Sequence, residues 1–201
     1  MRIPLRVVKV GGSLFDWPEL PAALDRWLGS QTPAVHVLVA GGGPLVEAIR
    51  QANRVFSFDE EAAHWLCIDA MGITAKMIAL SLDHARVVGQ LDELRQIVAS
   101  QIPECIVFDP GRFLRKEEPA CPGCVLAEDW SVTSDSIAAR LAEVLNADEL
   151  VLLKSAEPPS GSDDLRALAE QGYVDRQFPA FERKRFSYRF VNLRACQSGG
   201  E

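Results

Sequence analysis

The chain is short of the features that mark several broad classes of protein. Basic residues are in the minority: 21 Lys and Arg stand against 28 Asp and Glu, for a formal net charge of −7. A nucleic-acid role therefore has no global electrostatic support. The one basic cluster, Arg183-Lys184-Arg185, is short and reads as a solvated face. No apolar run reaches the ~20 residues that a membrane helix needs, so no membrane partner is expected. Met1-Arg2-Ile3-Pro4-Leu5 opens directly into a strand pattern, and no signal peptide is expected. The 3 histidines show no ligand spacing, and no metal site is expected. The 5 cysteines are odd in number. That suits a reducing, cytoplasmic setting better than a disulfide framework. Cys121-Pro122-Gly123-Cys124 has the spacing of half a zinc site or a redox pair, yet no second pair follows. Two free thiols in a Pro- and Gly-rich loop is the plain alternative.

Two familiar phosphate-binding motifs are also missing. A P-loop places its lysine after the glycines, in Gly-x-x-x-x-Gly-Lys-Ser/Thr. The dinucleotide fingerprint needs Gly-x-Gly-x-x-Gly, which Gly11-Gly12-Ser13-Leu14-Phe15-Asp16 does not supply. In their place stands Lys9-Val10-Gly11-Gly12-Ser13, directly behind the apolar run Val7-Val8. A second apolar run, Val35–Ala40, ends in Gly41-Gly42-Gly43. Glycine lets backbone N–H groups approach an anion closely, and Lys9 adds a positive charge. One Gly-Gly pair usually marks only a turn. Two such loops after two strands point to a phosphate chain.

Strand and helix patterns alternate along the whole chain. Strands are expected near Arg6–Val10, Val35–Ala40, Arg86–Val88, Ile106–Phe108, Leu150–Leu153 and Tyr188–Val191. Most are short continuous apolar runs, as in parallel strands covered on both faces. Helices are expected over Pro18–Leu28, Pro44–Asn53, Glu60–Leu82, Leu91–Ser100, Ser134–Leu145 and Leu165–Gln171. Asp16 is the expected cap of the first and Thr133 or Ser134 of the fifth. Gly111–Ala127 and Glu157–Asp164 read as irregular loops. The pattern predicts one α/β domain over residues 1–201 with a mostly parallel sheet, and ligands beyond the carboxyl ends of its strands. Asp135 falls in the first turn of the fifth helix, where a carboxylate is favoured by the helix dipole. By itself it is a capping residue; at a binding site it orients a lysine or a metal ion.

Lys-Val-Gly-Gly-Ser at 9–13, Gly-Gly-Gly at 41–43, Thr-Ser-Asp-Ser at 133–136 and Leu-Leu-Lys at 152–154 together resemble the amino acid kinase superfamily. They occur in that family's order. The resemblance implies a three-layer αβα sandwich with a central, mainly parallel sheet. It implies phosphoryl transfer from ATP with Mg²⁺ to a small-molecule acceptor, commonly by a homo-oligomer. It assigns Lys9, Asp135 and Lys154 to catalysis, with Asp135 holding the lysines. Gly11, Gly12, Ser13, Ser134, Lys154 and Ser155 would face the nucleotide. Gly41, Gly42, Gly43, Arg50, His64 and Thr133 would face the acceptor.

A narrower likeness lies in Trp130–Ala138, Ala63-His64-Trp65 with Ala70-Met71, and Gly172-Tyr173-Val174-Asp175. It is similar to the aminomethylfuran phosphate kinase branch of methanofuran-type cofactor biosynthesis. There Arg50 or Arg54 would pair with an acceptor phosphate, and Asp59 or Glu60 with an amine. One departure matters. Family members commonly follow the Leu-Leu-Lys strand with Thr-Asp-x-x-Gly, whereas this chain has Ser155-Ala156-Glu157-Pro158-Pro159-Ser160-Gly161. That change motivates a second reading, a non-catalytic nucleotide or metabolite sensor. A thiol-based redox or metal protein built on Cys121 and Cys124 is the third.

Overall fold

The computed structural model describes residues 2–160, 164–182 and 184–197. Six strands form one sheet: β1 (Leu5–Val10), β2 (Val35–Ala40), β3 (Ala85–Val88), β4 (Glu104–Phe108), β5 (Glu149–Lys154) and β6 (Ser187–Asn192). All pairings are parallel, in the order β3-β4-β2-β1-β5-β6. Parallel neighbours require a crossover between them. The helices α1 (Leu20–Ser30), α2 (Gly43–Phe56), α3 (Glu60–Ser81), α4 (Leu91–Ser100), α5 (Ser134–Leu145) and α6 (Leu165–Glu170) lie in those connections.

Side chains alternate across the sheet with a period of two and divide the core into two layers. Val7, Val37, Val39, Ile106, Leu150 and Leu152 face a layer completed by α4, α5 and α6. Val8, Val10, Leu38, Val107, Val151 and Leu153 face a layer completed by α1 and the second half of α3. The expected three-layer α/β arrangement is therefore present. β1 and β2 are buried along their whole length, as continuous apolar runs require.

Several local expectations are corrected. Asp16 does not cap α1, whose N-cap is Glu19 with no side-chain cap bond. Asp16 instead accepts from Arg194 at 2.7 Å. α3 is, by length and composition, apolar enough to cross a membrane, contrary to the sequence-based expectation. Half of that stretch is buried, with Ile68, Met71, Ala75 and Ile78 in the core. The segment 111–127 is not wholly irregular. It contains a π-helical turn (Phe113–Glu117) and a 3₁₀ turn (Glu118–Ala120). Residues 161–163 and Arg183, within the loop and basic cluster noted above, lie outside the described residues.

Arg140 on α5 organises that segment. Its side chain is fully buried against the nearly buried Glu118 at 2.6 Å, and it also meets Glu143 at 2.8 Å. Two further donors reach the carbonyls of Pro122 and Cys121, each at 2.8 Å. The Cys-Pro-Gly-Cys turn therefore wraps a guanidinium, and both its thiols are free. Breaking a buried ion pair strands its partner's charge. Arg140→Leu is expected to destabilise the fold by about 3–5 kcal/mol, and Arg140→Leu with Glu118→Leu to recover most of that. Chemical denaturation of both variants measures it; equal losses in the single and the double variant would contradict the account.

Candidate active site

The strand period places two lysines together. Lys9 pairs in register with Leu152, so Lys9 and Lys154, two positions beyond Leu152, point to the same face of the sheet. α5 covers that face, and its first turn brings Asp135 down between them. Asp135 Oδ1 lies 2.9 Å from Lys9 Nζ, and Oδ2 accepts from Lys154 Nζ at 2.7 Å. The Lys9 contact is an ion pair without hydrogen-bond alignment, since Oδ1 accepts no aligned bond. All three side chains are nearly buried, between 6% and 11% exposed.

Electrostatics follow from that packing. Burial alone would raise the Asp135 carboxyl, but the Lys9 and Lys154 ammoniums reverse the effect and hold it below the usual carboxylate range. Lys154 is lowered to about 8, first by burial and then by Lys9, against the opposing pull of Asp135. Lys154 Nζ also donates to the Tyr173 carbonyl at 2.6 Å and lies 5.0 Å from the centre of the Tyr173 ring.

Two cavities meet at this point. One, about 480 Å³, is lined by Lys9, Asp135, Lys154, Ser155, Ala156 and the segment Gly172–Asp175. The other, about 680 Å³, runs between α2 and α3 and is lined by Gly42, Gly43, Glu47, His64, Met71 and Trp130 among others. Gly12, Ser13, Arg50, Thr133 and Ser134 line both. The glycines separate into two roles. Gly11 donates its N–H to Leu153 O at 2.9 Å, extending the β1–β5 ladder, and a Cβ there would lie 2.7 Å from that oxygen. Gly41 lines neither cavity; a Cβ on it would lie 2.6 Å from Gly12 N and 3.1 Å from Ser134 Oγ. These two glycines let chains touch, which corrects the expectation that Gly11 meets nucleotide and Gly41 meets acceptor. Gly12 and Gly43 are the ones positioned as donors. The first bond inside the Gly12–Leu14 turn comes from Leu14, and the first inside α2 from Val46. The N–H groups of Gly12, Ser13 and Gly43 precede those bonds, so no intrahelical acceptor takes them. Gly43 has φ +55°, and a Cβ there would lie 2.9 Å from Phe15 Cβ.

The remaining expected residues fall as follows. Ser13 Oγ and Ser155 Oγ are 2.8 Å apart, joining the first glycine loop to the loop after β5. Arg50 stacks over Trp130 at 5.2 Å. His64 lines the larger cavity, with Nδ1 3.2 Å from Asp129 O, and burial lowers its pKa. Thr133 is the N-cap of α5, but its hydroxyl is committed to Asp175 at 2.9 Å. Asp59 caps α3 by accepting from Ala62 N at 2.7 Å, and neither it nor Glu60 lines either cavity. The carboxylates of the larger cavity are Asp16, Glu47 and Asp129. Sequence reasoning missed the roles of Asp175 and of the Tyr173 carbonyl. Both lie some forty residues beyond Asp135, in a segment with no periodic signal.

The sequence profile described as Amino acid kinase family matches residues 4–158. The chain belongs to the amino acid kinase family. No curated protein sequence matches it significantly. Solved structures of similar fold include uridylate kinase from Archaeoglobus fulgidus, with TM-score 0.64 and 17% identity, covering 95% of this chain and 90% of that one. UMP kinase from Bacillus anthracis has TM-score 0.64 and 13% identity, covering 98% and 89%. Carbamate kinase from Giardia lamblia bound to AMP-PNP has TM-score 0.58 and 14% identity, covering 95% and 93%. At these identities the likeness is one of fold. In this amino acid kinase family chain the matched region spans both glycine loops, Asp135 and Lys154.

The division among glycines has a direct test. Gly41→Ala is expected to cost about 1–3 kcal/mol, because the Cβ meets backbone that has no room to move. Gly29→Ala, in α1 with nothing within 4 Å of the added Cβ, should be neutral or stabilising by up to about 1 kcal/mol. Thermal or denaturant unfolding compares them; equal effects would refute the packing role of Gly41.

Proposed function

We propose that this chain transfers a phosphoryl group from ATP to a small-molecule acceptor that is already an anion. The observation that carries this reading is the pair of ammoniums fixed by one buried carboxylate where two cavities meet. Phosphoryl transfer needs alignment and neutralisation of spreading charge more than covalent help. Lys9 would contact the transferring group and Lys154 the nucleotide phosphates. The Gly12, Ser13 and Gly43 N–H groups add donors. The bond to the ADP oxygen breaks as the acceptor oxygen bonds to phosphorus, and an anionic acceptor has no proton to lose. That fits the junction, which among the described residues holds no idle base. Asp135 is tied to both lysines, and Asp175 accepts from several donors. Mg²⁺ belongs with the nucleotide, because neither carboxylate of the smaller cavity is free to ligate it. Bound there, the ion would screen the triphosphate.

The finer proposal is an acceptor that is itself a phosphate monoester bearing an amine, such as aminomethylfuran phosphate, in C1-carrier cofactor biosynthesis. Arg50 suits the phosphate, since an arginine fork matches its oxygens. The Trp130 ring and the apolar wall of Ile68 and Met71 suit a flat ring. Asp129, held below the usual carboxylate range by hydrogen bonds from Ser131, suits an amine. The odd cysteine count, 5, is the ground for proposing a reducing, cytoplasmic setting. The loop at 155–160, with Pro158 and Pro159, favours a second reading as a nucleotide or metabolite sensor.

ADP release with Mg²⁺-ATP and a panel of phosphate, carboxylate and carbamate acceptors separates the two. Turnover with one acceptor is expected, falling by about 10²–10³-fold or more in Lys9→Ala. Arg50→Ala should raise the KM of a phosphate acceptor by more than that of ATP, because Arg50 lines both cavities but is the cation of the larger one. ATP binding with no ADP release under any acceptor would establish the sensor instead.

A homo-oligomer is part of the proposal. Ile68, Met71 and Ile78 of α3 are spent in the core, but Leu66, Ile73, Met77 and Leu80 are exposed on it at helical spacing. Sedimentation should show an assembly that Ile73→Glu with Leu80→Glu dissociates; a wild-type monomer would remove this part.

A further inference from the structure

The N-terminus of α5 is capped in an unusual way. Its N-cap residue, Thr133, makes no side-chain cap bond. The acceptor comes instead from Asp175, 39 to 42 positions later in the chain. Asp175 Oδ2 accepts from the N–H of Thr133 and of Ser136, each at 2.9 Å, and from the Thr133 hydroxyl at 2.9 Å. Oδ1 accepts from the Ser136 hydroxyl and from the N–H groups of Gln177 at 3.1 Å and Phe178 at 3.0 Å. Asp135 sits between the two residues so bound.

A helix cap alone does not call for this arrangement. A threonine at the N-cap normally supplies its own acceptor. A second carboxylate buried near Asp135 is costly: burial first, then the Asp135 charge, raises the Asp175 carboxyl above its ordinary range. The same short segment also supplies the Tyr173 carbonyl to Lys154, and the Tyr173 hydroxyl reaches Ala156 O at 3.0 Å. One strap therefore grips both sides of the Asp135–Lys154 ion pair.

We propose that Asp175 is a positioning residue of the transfer centre, fixing Asp135 between Lys9 and Lys154 by capping α5 from a distant segment. The inference rests on reading that triad as the reacting centre, but its test does not need turnover. Lys154 is faced by Lys9 from β1, by Asp135 from α5, and by Asp175 and the Tyr173 ring from the strap, with Glu157 near that ring. Removing the Asp175 charge withdraws one of the groups that favour the Lys154 ammonium.

The experiment is a ¹³C NMR titration of Lys154 Cε, assigned through Lys154→Arg, in the wild type and in Asp175→Asn. The expected wild-type midpoint is about 8, and the variant midpoint should lie clearly lower. A folded Asp175→Asn protein with an unmoved midpoint would overturn the proposal. Loss of the Asp175 charge by itself also lowers the midpoint, so the same titration in Ser136→Ala, which keeps that charge, separates the causes: positioning predicts a lowered midpoint there too, and an unmoved one overturns the proposal. Should Asp175→Asn fail to fold, Ser136→Ala decides, since it deletes one hydroxyl donor to Asp175 outside either cavity. Positioning predicts a kcat lower by on the order of 10-fold with the KM for ATP little changed; an unchanged kcat overturns it. A wild type silent toward every acceptor would defeat the kinase reading, while the titration would still decide the role of Asp175.

Discussion

The structure depends on one buried carboxylate shared by two ammoniums. Lys9 and Lys154 stand on adjacent strands and face the same side. Without an anion between them, two desolvated like charges would repel strongly in a medium far less polarisable than water. Asp135 resolves that repulsion only if α5 begins at the right height. The length of β5, the start of α5 and the capping of its first turn are thus one constraint. The depressed pKa of Lys154 shows the compromise: burial and Lys9 weaken its charge, and Asp135 restores much of it.

Around that centre, glycine sets distance. Gly41 and Gly12 meet closely enough that a Cβ on Gly41 would overlap a backbone nitrogen. This contact brings the loop after β2 against the loop after β1. It also holds the donor N–H groups of the first loop beside the N-terminus of α2. A glycine-rich loop here is first a packing device. Its anion-binding potential is a consequence at Gly12 and Gly43, where the N–H groups remain after the helical turns begin.

The fold was largely legible in the sequence. The runs Val35–Ala40 and Leu150–Leu153 are continuous and apolar because both faces of a parallel strand are covered. The spacing of Lys9 and Lys154 from their strands suffices, once register is known, to place them together. What stayed hidden depends on contacts with no period. Arg140 reads in sequence as one more charged helix residue, yet it is fully buried and gathers the Cys121–Cys124 turn around it. Asp175 stands out in sequence only as the end of the Gly172-Tyr173-Val174-Asp175 likeness and carries no sign of its capping role, because its partners lie about forty residues earlier. Gly11 and Gly41 resemble their neighbours in sequence, and only the proximity of Leu153 O and Gly12 N distinguishes them.

The walls of the smaller cavity are nearly balanced in charge. Lys9, Lys154 and Arg50 contribute three positive charges and Asp135 and Asp175 two negative ones, so with all five ionised the walls carry a net charge of only +1. The whole chain adds no general attraction for anions, at −7. A triphosphate entering here would find directed donors and one well-placed ammonium pair, but only one net positive charge to set against its own. On the proposed function, the remaining charge would be offset by something that arrives with the nucleotide. A divalent cation on the phosphates meets that need without asking either engaged carboxylate for a ligand. Arg50, on the rim that the two cavities share, is exposed and paired only loosely with Glu47 at 3.9 Å. On the proposed function, the fixed ammoniums would serve alignment on the nucleotide side, and the exposed Arg50 guanidinium would serve recognition of the acceptor.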